Sequence, residues 1–419
     1  MDRRAFAKSV AAAAVTTAAG DISSALAQSP QIQPPPTPGA QPLAAPGAAS
    51  PPTVAVSVAD FQRLAQVKLP APTYDYITSG TTDEVTLRDN IEAFRRIRLL
   101  PPILKGIEDS DPRTSVLGEP LKLPIMLAPV AAQRLYHPEG AMASARAAAT
   151  TGTIFCASTS ATSSVEEIAA ASVGPKWFQL YPPKDRGVAE RLVRRVEQSG
   201  YRAIVVTIDL GERKDADLRH RFALPEPMLI KHLHDIGFDV PAGLSYRELI
   251  AFNSNAWDRA LSWEYFGWLR KVTKLPLLVK GVLRAEDAKR AVALGLQGIV
   301  VSNHGGRRLD GMPASIDCLP QVVAAVGGQT EILLDSGVRR GTDVLKALAL
   351  GAKAVLIGRP YAWALAAGGE AGVTQVIELI REEFVMAMHA CGCATVKEIN
   401  RELIVRGAKA ESGKPKAEE

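Results

Sequence analysis

A TIM-type (β/α)8 barrel, an α/β fold, is the architecture that this sequence predicts, and three observations predict it. From Leu121 onward, short β-branched or apolar runs alternate with Ala-rich helical stretches. Eight such units follow one another, the number that closes a barrel. No G-x-G-x-x-G turn follows the first run, as an open, doubly wound sheet for dinucleotides would require. The chain has 419 residues, 47% of them hydrophobic and 22% charged, which supplies a large core and excludes a disordered chain.

The elements follow in order. Residues 1–27 read as an export leader: Asp2-Arg3-Arg4-Ala5-Phe6-Ala7-Lys8, an apolar stretch over 10–19, and the small-x-small site Ala25-Leu26-Ala27. The paired arginines with Phe6 and Lys8 are similar to the twin-arginine type, although Asp2 stands where Ser or Thr is usual, and an ordinary Sec leader is the other reading. Residues 28–52 form a Pro/Ala-rich linker whose composition favours an extended, solvated tether. The expected location is periplasmic or secreted, with peripheral membrane association left open. No run of about 18 apolar residues, the length of a membrane span, lies beyond the leader. The barrel domain is expected over 53–407, followed by a charged tail at 408–419.

Net charge is only +5, and lysines and arginines are scattered among Asp and Glu, which argues against nucleic acid as a partner. Cys156, Cys318, Cys391 and Cys393 make neither a C-x-x-C-H haem site nor paired zinc clusters, and Cys391 and Cys393 stand too close for an easy bridge.

The barrel strands are expected at 123–128, 153–157, 177–181, 203–208, 277–279, 298–301, 331–334 and 354–357, with helices at 139–150, 188–199, 285–294 and 341–350. An N-terminal extension bearing Tyr76 precedes them. A lid-like insertion from Leu210 to about Ala260 follows strand 4 and is placed to cover one mouth. Barrel enzymes keep their chemistry at the C-terminal ends of the strands. Polar residues recur there: Gln133, Ser158 and Thr159, Gln179 and Tyr181, Thr207 and Asp209, Lys280, Ser302 to His304, Asp335, and Arg359. The opposite ends begin with Leu123-Pro124, Gly200-Tyr201 and Leu275-Pro276, so the polarity belongs to one mouth. The stretches from Asp335 to Gly341 and from Gly358 to Pro360 bring glycines and arginines to strands seven and eight, a recurrent phosphate site of such barrels.

The segment Ser302-Asn303-His304-Gly305-Gly306-Arg307-Arg308-Leu309-Asp310 resembles the signature of the FMN-dependent 2-hydroxy-acid oxidases and dehydrogenases. This family includes glycolate oxidase, lactate oxidase, L-lactate dehydrogenase and mandelate dehydrogenase. The resemblance extends through Tyr74-Asp75-Tyr76, Pro124 to Pro129, His137 to Gly140, Ala161 to Glu167, Gln179 to Tyr181, Val279 to Gly281 and Arg339 to Val344, and covers Thr53 to about Val405.

The resemblance implies oxidation of an (S)-2-hydroxy acid, L-lactate-like or bulkier, to the 2-oxo acid with FMN as cofactor. Oxygen or an external acceptor, a cytochrome c or a quinone, would reoxidise the flavin, and a homotetramer is implied. His304 would be the base and Asp209 its partner, while Arg307 would bind the substrate carboxylate and Tyr76 and Tyr181 would hydrogen-bond the substrate. Lys280 would place its charge beside the flavin ring, with Pro129, Val130, Ala131, Ser158, Gln179, Thr207 and Ser302 around the flavin. Asp335, Ser336, Gly337, Arg339, Gly358 and Arg359 would hold the ribityl chain and phosphate. An isomerase-type reaction on the same fold, or flavin binding without turnover, is the alternative.

Three departures stand out. Lys214 occupies the place of a usual substrate-binding Arg, with Arg213 beside it; Lys keeps the charge and loses the fork. Ser160 and Ala132 stand where relatives have Trp and Met, which enlarges the pocket. Ser336 replaces a common Gly, a change that an ordinary backbone conformation would accommodate. Outside the resemblance, His232-x-His234 has no further ligands nearby and reads as surface loop rather than metal site. Asp317, Glu166 and Glu167 read as helix-start acids.

Overall fold

The computed structural model describes residues 54–209, 219 and 222–406. The leader, the linker, the tail, Arg213 and Lys214 lie outside the described residues. Three helices open the described chain: α1 (Val58–Lys68), α2 (Ala71–Thr78) and α3 (Val85–Arg96). The barrel strands, numbered among themselves, are β1 (Ile125–Leu127), β2 (Phe155–Ser158), β3 (Lys176–Leu180), β4 (Ile204–Thr207), β5 (Leu277–Val282), β6 (Gly298–Val301), β7 (Glu331–Asp335) and β8 (Ala354–Ile357). They pair in parallel, each with its sequence neighbours, and β8 returns to β1 to close the barrel. Helices α4 (Gly140–Thr151), α5 (Val165–Ala171) and α6 (Arg186–Gln198) follow β1 to β3. The insertion after β4 contributes α7 (Glu226–Ile236) and α8 (Tyr246–Asn255), and α9 (Glu264–Val272) leads into β5. Then come α10 (Ala285–Ala293), α11 (Ser315–Val326), α12 (Gly341–Ala349) and the long α13 (Arg359–Ala390), which kinks at Gly368 and Gly369.

All eight expected strands form, and their ends differ from expectation for local reasons. β1 is shorter than 123–128 because Pro124 has no N–H to donate to a ladder. β5 runs past Val279 because Gly281, at φ +113°, lets the ladder bulge between Lys280 and Val282.

The period of two along each strand divides the core. Ile125, Phe155, Phe178, Ile204, Leu277, Ile299, Ile332 and Val355 pack outward under the helices. Met126, Cys156, Trp177, Val205, Leu278, Val300, Leu333 and Leu356 fill the barrel, with Val116 and Leu121 of a small antiparallel ribbon in the same cluster. Taking one further step of two along each strand reaches Ala128, Ser158, Gln179, Thr207, Lys280, Ser302, Asp335 and Gly358, a largely polar layer at the C-terminal mouth. The next step from β1, β2, β3, β4 and β6 reaches Val130, Ser160, Tyr181, Asp209 and His304.

All four cysteines are buried and free. Glu166 and Glu167 stand in the first turn of α5 and Asp317 in that of α11, as helix-start acids. The His232-x-His234 reading needs correction: both residues lie on α7, with His232 buried and His234 exposed. Leu229, His232, Leu233 and Ile236 recur at helical spacing and form the buried face.

Candidate active site

A cavity of about 800 Å³ opens at the C-terminal mouth. Its floor and sides come from Pro129, Val130, Ala131, Ser158, Lys280, Asp335, Ser336, Gly337, Arg339, Gly358 and Arg359. Tyr76, Tyr181, His304, Arg307 and Arg308 also line it, and the insertion supplies Leu224, His232, Asn253, Ser254, Trp257 and Arg259. The insertion thus forms one wall of the mouth.

The centre is a chain of polar contacts. His304 Nδ1 lies 3.0 Å from Asp209 Oδ1, and its Nε2 lies 3.3 Å from the Tyr181 hydroxyl. Burial pushes the His304 imidazole down to about 4, a shift that Asp209 opposes and that Arg308 and Lys280 reinforce. Burial acts against the charged form of Asp209, but the hydrogen bond from His304 and the Lys280 and Arg308 charges outweigh it and hold the carboxyl below its usual range. The resting pair is a neutral imidazole and a carboxylate. The carboxylate accepts from Nδ1–H, which leaves Nε2 as the basic atom. His304 sits at φ +59°, in the left-handed region, and its amide donates to Ser302 Oγ at 3.0 Å. Such a conformation for a bulky residue is retained only where the surroundings over-determine it. Asn303 provides that hold: its amide exchanges hydrogen bonds with Asn90 of α3 at 2.7 and 2.8 Å.

Arg308, which the signature places beside Arg307 and to which sequence reasoning assigned no role, also meets the centre. Its guanidinium donates to the Tyr181 hydroxyl at 2.5 Å and lies 5.4 Å from the ring centre. Arg307 Nη1 donates to the carbonyls of Tyr76, Ile77 and Ser79, and Tyr76 stacks on Phe222 with ring centres 4.3 Å apart. Arg359, expected at the phosphate, does not turn a free two-pronged fork to the cavity. Its Nε, Nη1 and Nη2 all donate to carbonyls, those of Ile77, Thr78, Gly305 and Ser79. These carbonyls lie largely at the C-terminal end of α2, where a cation is favoured. Arg359 therefore offers an anion in the cavity its charge more than its fork.

Several features fit a flavin mononucleotide. Gln179 Nε2 and Thr207 Oγ1 are buried without a hydrogen-bond partner among the described residues, and polar atoms so placed call for a polar ligand. Lys280 is buried, 2.9 Å from Asp335 and 2.8 Å from Ser302 Oγ, and the Asp335 and Asp209 carboxylates keep it charged against the cost of burial. Burial and mutual repulsion with Arg307 and Arg339 push the Arg359 pKa well down, and burial lowers Arg339 to about 10. Buried cations crowded in this way around Arg359 form a site for a dianionic phosphate. The expectation for Ser336 is corrected: it adopts φ +77°, not an ordinary conformation. Its hydroxyl donates to Asp335 Oδ1 at 2.7 Å and accepts from the Gly305 amide at 2.9 Å, holding the loops after β6 and β7 together.

Comparison with known proteins gives a consistent result. The profile of the FMN-dependent dehydrogenase family matches residues 65–406. Glycolate oxidase 1 of Zea mays is 48% identical over 352 residues, 83% of this chain and 95% of the relative. 2-Hydroxyacid oxidase 1 of Homo sapiens is 47% identical over 358 residues, 83% of this chain and 96% of the relative. The crystal structure of mandelate oxidase superimposes with a TM-score of 0.76 at 42% identity, covering 84% of this chain and 98% of the other.

Proposed function

The chain belongs to the FMN-dependent dehydrogenase family, and from that premise we propose that it oxidises an (S)-2-hydroxy acid, L-lactate-like or bulkier, to the 2-oxo acid. The observation that carries this reading is the His304–Asp209 pair, with Nε2 turned to Tyr181 inside a cavity lined by cations. FMN, when bound, supplies the acceptor for the two electrons that the substrate releases.

The chain's own residues do the rest. His304 Nε2 takes the substrate proton, and Asp209 stabilises the imidazolium that results. Tyr181 and Tyr76 orient the substrate oxygens, and Arg307, with Arg308 and Lys214 as further cations, balances the substrate carboxylate. Gln179, Thr207, Ser158 and Ser302 would hold the flavin ring, with Pro129, Val130, Ala131 and the Lys280 charge as further residues for it. Asp335, Ser336, Gly337, Arg339, Gly358 and Arg359 would hold the ribityl phosphate end.

Relatives named as oxidases support oxygen as the acceptor. A cytochrome c or quinone acceptor and a homotetramer belong to the same reading. Anaerobic addition of L-lactate, glycolate or mandelate to the yellow holoprotein is expected to bleach the flavin. A flavin that none of them bleaches would count against oxidation and favour binding without turnover. Admitting oxygen, or oxidised cytochrome c, then identifies the acceptor by which one restores the colour. The paired Arg3 and Arg4 support export by the twin-arginine route to the periplasm or beyond. Replacing both by Lys is expected to retain the protein in the cytoplasmic fraction.

A further inference from the structure

The wall that the insertion adds to the cavity contains another histidine, which proton transfer does not use. His232 projects from the buried face of α7 and is only 4% exposed. Its Nδ1 lies 3.2 Å from the Ala161 carbonyl, which is the ring's one hydrogen-bond partner among the described residues. A carbonyl can only accept, so Nδ1 carries the proton and Nε2 keeps a lone pair. Burial pushes this imidazole down to about 4, so the ring is neutral at ordinary pH and Nε2 acts as an acceptor. His232 is among the residues that line the cavity of His304 and Tyr181.

The surroundings leave room for something to reach it. Ser160, the residue before Ala161, also lines the cavity, and its carbonyl accepts from the Ala132 amide at 3.0 Å. Ser160 and Ala132 both have small side chains, so the space beside the turn that His232 grips is left open. Asn253 and Ser254 of the insertion add polar groups to the same lining. An acceptor facing a binding cavity disfavours an alkyl or aryl group and is satisfied by a donor.

We propose that His232 reads the side chain of the substrate: its Nε2 accepts a hydrogen bond from a hydroxyl carried beyond C2, so the enzyme prefers polyhydroxylated 2-hydroxy acids to alkyl ones of matched length. This deepens the oxidoreductase reading and rests on it. His232 acts on specificity, while proton transfer stays with His304.

The test measures the second-order rate of anaerobic flavin bleaching in the holoprotein with paired acids. 2,3-Dihydroxypropanoate is set against 2-hydroxybutanoate, and 2,4-dihydroxybutanoate against 2-hydroxypentanoate, with 2-hydroxybutanedioate as an anionic comparison. The donor-bearing member of at least one pair is expected to react about 10-fold faster, the worth of one well-made hydrogen bond. His232→Leu is expected to bring that ratio to near one. Ser160→Trp, which fills the space while leaving His232 itself unchanged, is expected to do the same and serves if His232→Leu loses its flavin. Equal rates within both pairs, or a ratio unchanged in the variants, would overturn the proposal. Preference for the dicarboxylate over both members would also overturn it and assign the wall to Arg259 and Arg308. A flavin bleached by the alkyl acids alone leaves the oxidoreductase reading standing without this inference, whereas no bleaching by any acid removes both.

Discussion

His304 is a neutral acceptor at rest because burial and the nearby Arg308 and Lys280 charges outweigh the pull of Asp209. The base must be unprotonated to act, so its activity is lost as pH falls through its pKa. The acidic limb of kcat/KM is therefore expected near pH 4 rather than near the ordinary histidine value. Removing one of the depressing charges moves that limb in a known direction: Arg308→Gln should shift it upward, toward about 6.5, and a pH–rate profile unchanged by the substitution would sink the assignment. His304→Ala is expected to lower flavin reduction by roughly 10²–10⁴-fold, the usual worth of a positioned base, with the yellow colour retained. His304, Asp209, Tyr181 and Lys280 were legible in the sequence because each ends an apolar run. Arg308 and His232 were not. Arg308 stands beside a residue that already had a role, and the polar neighbours of His232 suggest a loop. The helical spacing of Leu229, His232, Leu233 and Ile236 was the signal available for His232.

Among the elements, α2 shows how an extension outside the barrel becomes part of its mouth. Arg307 and Arg359 hold its C-terminal carbonyls, and Trp363 of α13 donates to Thr78 Oγ1 at 3.0 Å. Arg359→Gln would strand several buried carbonyls and release Tyr76 from the site. The expected cost is about 3 kcal/mol of unfolding free energy, with a raised KM, read from denaturant unfolding and steady-state kinetics. A loss of flavin alone, with stability and KM unchanged, would mean that Arg359 serves only the phosphate. At the next level, α12 meets α13 so closely that a Cβ on Gly341 would lie 2.0 Å from the Phe384 amide nitrogen. Gly341→Ala should therefore destabilise by about 3 kcal/mol, seen as a lower midpoint of thermal unfolding. Strand periodicity had announced the eight units, whereas the union of α2 with the loops after β6 and β8 depends on contacts more than 200 residues apart, such as Arg359 with Ile77.

For the whole molecule, the barrel gathers Lys280, Arg307, Arg339 and Arg359 at one mouth, where burial strains the charges of Arg339 and Arg359 and the neighbouring arginines add to the strain on Arg359. A dianionic ligand relieves that strain, so FMN added to apoprotein at about 100 times its Kd should stabilise by about 2.7 kcal/mol, and riboflavin, without the phosphate, by less. Equal shifts of Tm for the two would contradict the placing of the phosphate among the arginines. The two buried histidines add a pH dependence of their own. Both are depressed to about 4, so the unfolded chain binds protons that the folded chain does not between about 6.5 and about 4. Their contribution to stability is present above that window and is lost as pH falls through it. The His232→Leu variant is expected to show a shallower loss. By itself the sequence determined the βα alternation, the polar ends of the strands and the family signature, because these depend on neighbours one to four residues apart. Only the tertiary structure decided which of those groups touch. The His304–Asp209 contact, the use of the Arg359 donors on α2 and the left-handed Ser336 follow from closing the barrel, which brings distant strand ends into one small volume, and the place of His232 on the cavity wall follows from packing the insertion over that mouth.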